Sequence, residues 1–283
     1  MPNCLTNQQI ADYRSDGYLF PVAAIGEREA ARYFGLLQEY EEKLGGLVSS
    51  VGGAARFKNH LLLTWANDLV RHPVILDAVE DLIGPDILCY TSTFFVKEPK
   101  SLEVAAWHQD ATYFGLKPHD HVTAWLAFTE STPESGCLEF LPARNAHRQH
   151  KHLNDAVEYS VNGGKQAIVE DLNVDGAVMA PLRPGNFSLH NTLCIHRSAP
   201  NRSKKRRIGI GISYVPTSVK HIGTHRMPAM LVRGMDKYGH FALEPDPVCN
   251  LDDAARTAHE ESYKAYRANY NEQLAWHHEG RSH

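Results

Sequence analysis

The chain has 283 residues, of which 43% are hydrophobic and 22% are charged, and its formal net charge is -4. This length and apolar content are enough to bury a substantial core in one large domain. The weakly acidic balance gives no overall positive field, which argues against a nucleic-acid partner. The densest basic run, at 202–207, is short and leads into an apolar strand.

Cysteine usage and the first residues of the chain indicate the compartment. The five cysteines are widely scattered and contain no CxxC pair, so neither a disulfide framework nor a zinc site is suggested. The first twenty residues are polar and charged throughout, without the apolar stretch of a signal peptide or membrane span. We therefore expect a soluble, cytoplasmic protein that has no membrane partner.

The front of the chain is predicted to be mainly helical. Thr6 and Gln9 have the spacing of a capping box that opens a short helix. Apolar residues recur at helical spacing over 27–43, and another helix is predicted over 72–83. These segments form a predicted helical N-terminal part over about 1–85.

From position 87 onward the pattern changes to short apolar and aromatic runs separated by turn residues. Such runs predict antiparallel strands, and their number favours an all-β, jelly-roll core over about 86–220. A C-terminal helical extension is predicted over about 250–278, packed on the outside of the roll. Because no repeat or linker interrupts the chain, we expect a single domain over 1–283.

The segment WHQD carries the strongest indication of chemistry. In an extended strand His108 and Asp110 point to the same face, while Gln109 points away. His196, at the end of a later apolar strand, is the best candidate for a second imidazole. Two histidines and one carboxylate are the ligand set of non-haem iron(II) oxygenases, which keep coordination positions open.

An arginine follows the second histidine at a useful distance. Arg207 lies eleven residues beyond His196, enough for a short loop and a return strand that brings a guanidinium near the metal. A guanidinium matches a carboxylate, as the far end of a dicarboxylic co-substrate requires. An HxD triplet or a strand-end histidine alone carries little weight, whereas their combination with this arginine predicts an oxygenase.

The chain resembles the phytanoyl-CoA dioxygenase-like family of iron(II)/2-oxoglutarate oxygenases, in particular its bacterial branch of hydroxylases and halogenases. The resemblance rests on DGYLFPV, FFVKEP, WHQDATYFGL, VTAWLAFTESTPESGCLEFLP, PGNFSLHNTLCIHRSAPNRS and MLVRG. It implies a double-stranded β-helix of the cupin-like kind that uses iron(II), 2-oxoglutarate and oxygen. It also implies His108, Asp110 and His196 as iron ligands, and Arg207 as the partner of the distal 2-oxoglutarate carboxylate.

Three weaker assignments follow from the same resemblance. Ser198 is expected to assist Arg207 through its hydroxyl, Trp125 to line the co-substrate pocket, and Thr93 to lie against it. Core packing is an equally compatible role for Trp125, and Thr93 has an ordinary strand position as its alternative.

Five further residues are candidate substrate contacts: Lys58, Asn59, His60, Tyr113 and His190. The first four are expected at the mouth of the barrel. His190 alternates in register with the second histidine ligand, so it faces the same interior, where a buried hydrogen-bonding role is the alternative.

Retention of Asp110 favours hydroxylation over halogenation. Halogenase-like members of the family replace this carboxylate with a small residue, which opens a position for halide. Desaturation stays open because it begins with the same hydrogen abstraction. Outside this chemistry, the alternatives are a non-catalytic jelly-roll protein that binds a metal or small molecule and a cupin-like metal isomerase, which would not need Arg207.

The expected substrate is a small polar metabolite. An organophosphonate such as 2-aminoethylphosphonate is favoured by three spare cationic residues, Lys58, Arg226 and Arg233. A natural-product intermediate is the other possibility.

Overall fold

The computed structural model describes residues 2–153, 158–161 and 166–278. The helices of this part are α1 (Asn7–Asp16), α2 (Glu27–Leu44), α3 (Gly53–Arg56), α4 (Thr64–Val70), α5 (Pro73–Ile83), α6 (Ala111–Phe114) and α7 (Asp253–His278), with a 3-10 turn at Asn59–Leu61. The strands are β1 (Tyr18–Ala23), β2 (Ile87–Lys97), β3 (Ala105–His108), β4 (Leu116–Lys117), β5 (Val122–Ala127), β6 (Leu138–Leu141), β7 (His152–Leu153), β8 (Ala167–Ile168), β9 (Val178–Ala180), β10 (Asn186–Asn191), β11 (Ile195–Ser198), β12 (Arg207–Pro216), β13 (Lys220–His221), β14 (Pro228–Arg233) and β15 (Ala242–Leu243).

The predicted helices are confirmed. The capping box opens α1, because the Thr6 hydroxyl accepts from the Gln9 amide at 3.2 Å and the Gln9 side chain accepts from the Thr6 amide at 2.8 Å. The other predicted helices correspond to α2, α5 and α7 within three residues at each end. None of the helices in the described ranges has the length and apolar character required to cross a bilayer.

Two sheets form the core of the fold. The larger has seven strands in the order β1-β10-β5-β12-β2-β14-β15, and the smaller has four in the order β3-β11-β6-β9. All their pairings are antiparallel except that of β14 with β15. This arrangement confirms the predicted all-β core with flanking helices. The larger sheet also takes in β1, β14 and β15, which lie outside the predicted core range of 86–220.

The two faces of β12 have different roles. Ile208, Ile210 and Ile212 are fully buried in the core cluster that also contains apolar residues of α2, α4 and α5. Because side chains alternate along a strand, the intervening positions face the inside of the roll. Gly209 and Gly211 occupy two of them, and the rings of Trp125 and Phe95 lie against the strand there. The sheet thus packs helices on one face and encloses a cavity with the other.

We expect Gly209→Ala to destabilise the fold. A Cβ atom there would lie 2.7 Å from the Leu126 carbonyl oxygen and closer still to the Trp125 ring, an overpacking that costs about 1–3 kcal/mol. Gly35→Ala in α2 is the matched control, because nothing lies within 4 Å of its added Cβ, and it should stabilise the helix by about 0.5–1 kcal/mol. Urea unfolding of both variants measures the two changes. Equal stability of the two variants would contradict this account of β12.

Candidate functional site

Strand register brings two distant histidines together. β3 and β11 pair so that His108 and His196 are cross-strand partners, with ring centroids 4.1 Å apart. His108 Nδ1 lies 2.8 Å from the Ala106 carbonyl oxygen, and His196 Nδ1 lies 3.0 Å from that of Cys194. A carbonyl can only accept, so each Nδ1 carries the proton. The Nε2 lone pairs are therefore the ones left to bind a metal.

Asp110 reaches the two imidazoles by a different route from the one predicted. β3 ends at His108, and Asp110 is the N-cap residue of α6 with helical torsions, φ -68° and ψ -28°. The prediction that strand alternation presents this carboxylate is wrong, since the chain has already turned into a helix. Its Oδ1 still lies 3.6 Å from His108 Nε2 and 3.9 Å from His196 Nε2. One donor atom from each of the three residues lies within 4.8 Å of the others.

The Asp110 carboxylate is held by neighbouring side chains. The Tyr113 hydroxyl donates to Oδ1 at 2.6 Å, and the Thr123 hydroxyl donates to Oδ2 at 3.4 Å. His190 Nε2 lies 3.5 Å from Oδ2. The structure therefore places Tyr113 and His190, two predicted substrate contacts, directly against this carboxylate.

Protonation in the site favours metal binding. Burial raises the pKa of Asp110, but the contact with His190 and the charge of His196 outweigh it and hold that pKa well below its usual range. Burial, followed by the charge of His196, lowers the pKa of His108 to about 4, and burial with His190 does the same for His196. At neutral pH the group therefore presents two neutral imidazoles and one carboxylate, the forms that ligate metals.

Gln109 supports the site through buried hydrogen bonds. This role was not predicted from the sequence. Its side chain is fully buried and donates to the carbonyl oxygens of Arg148 at 2.7 Å and Leu193 at 2.6 Å. Its amide oxygen accepts from the His150 backbone at 2.7 Å. One side chain thus ties two loops to the segment that carries two of the donor residues. Nothing in the local pattern distinguishes such a residue from an exposed glutamine.

Arg207 lines the same cavity as the three donor residues. It begins β12 of the larger sheet, whereas His196 lies on β11 of the smaller sheet, so the return strand does not pair with the strand of the histidine. Its guanidinium is buried, donates from Nη1 to the Gly136 carbonyl at 2.8 Å, and lies 5.1 Å from the centre of the Trp125 ring. Its Nε has no hydrogen-bond partner among the described residues. Burial lowers the pKa of Arg207 to about 10, so the group stays charged at neutral pH. A buried cation with a free donor is suited to an incoming carboxylate.

The hydroxyl of Ser198 interacts with a lysine. Ser198 Oγ accepts from Lys97 Nζ at 2.7 Å, and the expected hydrogen bond to Arg207 is not among its described contacts. Lys97 is completely buried at the end of β2, and burial together with the charge of Arg207 lowers its pKa to about 6. The lysine of the FFVKEP segment was not predicted to take part in the site. The sequence signal that could have identified Lys97 was its position at the end of a long apolar strand.

Two adjoining cavities lie against the larger sheet. The inner cavity contains the three donor residues with Trp125, Ser198 and Arg207. The outer pocket is lined by residues of α3, β2, β12 and α7, and it shares Phe95, Asp110, Tyr113, Thr123 and Val161 with the inner cavity. Trp125 lines the inner cavity, whereas Thr93 lines the outer pocket.

Three of the predicted substrate contacts lie elsewhere. Lys58, Asn59 and His60 are almost fully buried and line neither cavity. Lys58 forms an ion pair with Glu244 at 2.6 Å, and His60 Nδ1 lies 2.8 Å from the Ser92 hydroxyl. The prediction that they lie at the mouth of the barrel is wrong, because all three are buried and the Lys58 amine, the Asn59 amide nitrogen and His60 Nδ1 make internal contacts.

The other two spare cations are also engaged. Arg233 pairs with Asp77 at 2.7 Å and with Glu80 at 2.8 Å. Arg226 donates to the Phe241 carbonyl at 3.1 Å. Neither lines the two cavities, so the expected role of these residues toward an anionic substrate is wrong.

Comparison with known proteins shows which family the chain resembles. Residues 4–209 match the family model described as phytanoyl-CoA dioxygenase. The solved structure of the non-heme monooxygenase ThoJ in its apo form is similar to 94% of this chain and 99% of that chain, with 30% identity and a TM-score of 0.83.

Curated proteins are similar over shorter stretches. The "Probable alpha-ketoglutarate-dependent hypophosphite dioxygenase" of Stutzerimonas stutzeri is 26% identical over 156 residues, 55% of this chain and 54% of that protein. This chain therefore spans about half the length of that relative. The "Methylphosphonate hydroxylase" of Gimesia maris is 23% identical over 76% of this chain and 82% of its own length.

Proposed function

Because the chain belongs to the phytanoyl-CoA dioxygenase family, we propose that it is an iron(II)- and 2-oxoglutarate-dependent dioxygenase that hydroxylates an aliphatic C–H bond of a small molecule. One observation supports this most strongly. Two imidazole nitrogens and a carboxylate converge in a cavity that also contains the buried guanidinium of Arg207. We propose that this cavity belongs to a single cytoplasmic domain formed by the whole chain.

The donor set fits iron(II). His108, Asp110 and His196 supply two nitrogens and one oxygen, a 2-His-1-carboxylate set that is diagnostic of non-haem iron(II) oxygenases. Backbone carbonyls fix the tautomer and direction of both rings, and Tyr113 fixes the carboxylate. When bound, iron supplies the activation of oxygen that these side chains cannot provide. The residues hold the ion and leave positions open for co-substrate and oxygen.

The co-substrate fits the rest of the inner cavity. 2-Oxoglutarate carries a keto acid suited to metal chelation at one end and a carboxylate at the other. We propose that Arg207 binds this distal carboxylate with its unpartnered Nε, and that the Trp125 ring forms one wall. Lys97 is the cross-strand partner of Arg207 and donates to Ser198, which lines the cavity, so the two residues support this end of it.

The ligand set argues against halogenation. Asp110 is retained and is hydrogen-bonded by Tyr113, so the position that halogenase-like relatives free for halide is filled by a carboxylate. We therefore favour hydroxylation, with desaturation as the alternative outcome of the same abstraction. An organophosphonate such as 2-aminoethylphosphonate is one candidate substrate, prompted by the relatives named for hypophosphite and methylphosphonate.

Succinate release tests the proposal. Anaerobically purified protein is mixed with iron(II), 2-oxoglutarate and air-saturated buffer, and each component is omitted in turn. We expect succinate only in the complete mixture, a loss of activity with a chelator, and faster release when a substrate is present. Binding of 2-oxoglutarate without succinate under every condition would instead favour the non-catalytic jelly-roll alternative.

A further inference from the structure

The outer pocket has one face of the C-terminal helix as a wall. Tyr263, Tyr266, Arg267 and Tyr270 recur at i, i+3, i+4 and i+7 of α7, which places them on one side of the helix, and all four line the pocket. The helix is fixed there by Asn269, whose amide donates to the backbone carbonyls of two residues of α6 at 3.3 and 3.2 Å. A substrate that approaches the metal from this pocket therefore meets α7.

Seven aromatic side chains of the described residues line the pocket. Phe57 packs on Tyr266 with ring centroids 4.2 Å apart and on Tyr263 at 5.5 Å. Tyr113, which contacts the metal-site carboxylate, packs on Tyr270 at 5.6 Å. Aromatic walls bind apolar groups by area and by ring contacts. A one-carbon substrate would leave most of this surface without contact.

Two cations in this wall form no ion pair with the residues that the structure describes. Neither Arg56 nor Arg267 forms a hydrogen bond or ion pair with any residue that the structure describes, and Arg267 lies 5.0 Å from the centre of the Tyr270 ring. Burial lowers the pKa of Arg56, while Glu103 raises it electrostatically without forming an ion pair. Among the described lining residues only Asp110 is acidic, and its carboxylate is directed to the metal site.

We infer that the outer pocket binds an organic acid with an aromatic or otherwise apolar body, whose carboxylate or phosphonate group pairs with Arg56 and Arg267. The inference rests on the proposed function, because it assigns the substrate of that same site. A guanidinium in a partly desolvated wall recognises either acid by charge-assisted hydrogen bonds. The apolar body then lies among the rings of α7 and Phe57 and faces the metal at the Asp110 end.

Calorimetric binding tests this assignment without turnover. The protein is loaded with nickel(II) and saturating 2-oxoglutarate, so that the inner cavity is filled. It is then titrated with 3-phenylpropionate, 2-phenylethylphosphonate, the neutral 3-phenylpropionamide and the cation 2-phenylethyltrimethylammonium. We expect each acid to bind at least about tenfold more tightly than the amide. The cation should bind most weakly. The two acids compared with each other show which anion the pocket prefers.

Variants connect the preference to the two arginines. Arg56→Gln and Arg267→Gln should each weaken binding of the acids by about tenfold while leaving the amide unchanged. Lys264→Gln is the matched control, because Lys264 is exposed on the same helix and outside the pocket. Circular dichroism melting of each variant verifies that it is folded.

Three results would overturn the inference: acids that do not bind, an amide or cation that binds as well as the acids, or arginine variants that keep the full preference for acids. Failure of the proposed function has a different signature. In that case the acids bind to the loaded protein as expected, but no succinate forms with iron.

Discussion

Asp110→Ala is expected to abolish succinate formation from 2-oxoglutarate and to weaken iron binding by more than about 100-fold, since even residues that only support metal ligands contribute 10–100-fold. The change removes the only anionic member of the donor set and leaves two neutral imidazoles. Added iron(II) should stabilise the natural protein by about 2.7 kcal/mol when its concentration is 100 times Kd, and the variant by much less.

Melting curves with and without iron distinguish ligand loss from misfolding. A variant that melts cooperatively without metal but gains nothing from iron has lost the site and kept the fold. Asp171→Ala is the matched control, because Asp171 is exposed and lies outside both cavities. A variant at position 110 that keeps full activity would falsify its assignment as an iron ligand.

Arg207→Ala is expected to act on the co-substrate alone. Removing one partner of a buried charged pair costs about 2–5 kcal/mol, which is at least about thirtyfold in the Kd of 2-oxoglutarate. Iron affinity should change little, because the guanidinium donates to Gly136 and is not part of the donor set. Titration of iron and of 2-oxoglutarate in separate experiments measures the two effects.

Two further variants test whether the effect depends on the guanidinium of Arg207. Arg207→Lys keeps the charge but loses the planar fork, so it should recover only part of the affinity. Arg202→Ala removes an exposed arginine from the same basic run and should bind 2-oxoglutarate normally. If the Arg207→Ala protein required 2-oxoglutarate at unchanged concentration, the proposed role of Arg207 in binding its distal carboxylate would be contradicted.

Local patterns predicted the parts of the site that depend on local geometry. The apolar runs indicated the strands, and the cross-strand pairing of His108 with His196 follows once those strands pair. Asp110 was identified as a candidate for the wrong reason, because an HxD triplet suggests a continuous strand. The observed chain turns at the second residue of the triplet and presents the carboxylate from the start of α6.

Partners that are distant in sequence account for the predictions that were wrong. Lys58 was expected at the barrel mouth, but its charge is compensated by Glu244, 186 positions later. Ser198 was expected to bind Arg207, and its hydroxyl binds Lys97 instead. In both cases the pairing is set by which strands and loops become neighbours in the folded chain, and no short segment of sequence contains that information.

The helix α7 lies outside the segment of the chain that the family model matches. The family match covers residues 4–209 and so includes the three donor residues and Arg207, whereas α7 begins at Asp253. The α7 side of the outer pocket is therefore encoded beyond the matched segment, whereas Arg56, Phe57 and the β2 residues on its other side fall within that segment. Under the proposed function, substitutions on the pocket face of α7 would change which molecules bind in the outer pocket and would leave the three donor residues and Arg207 unchanged.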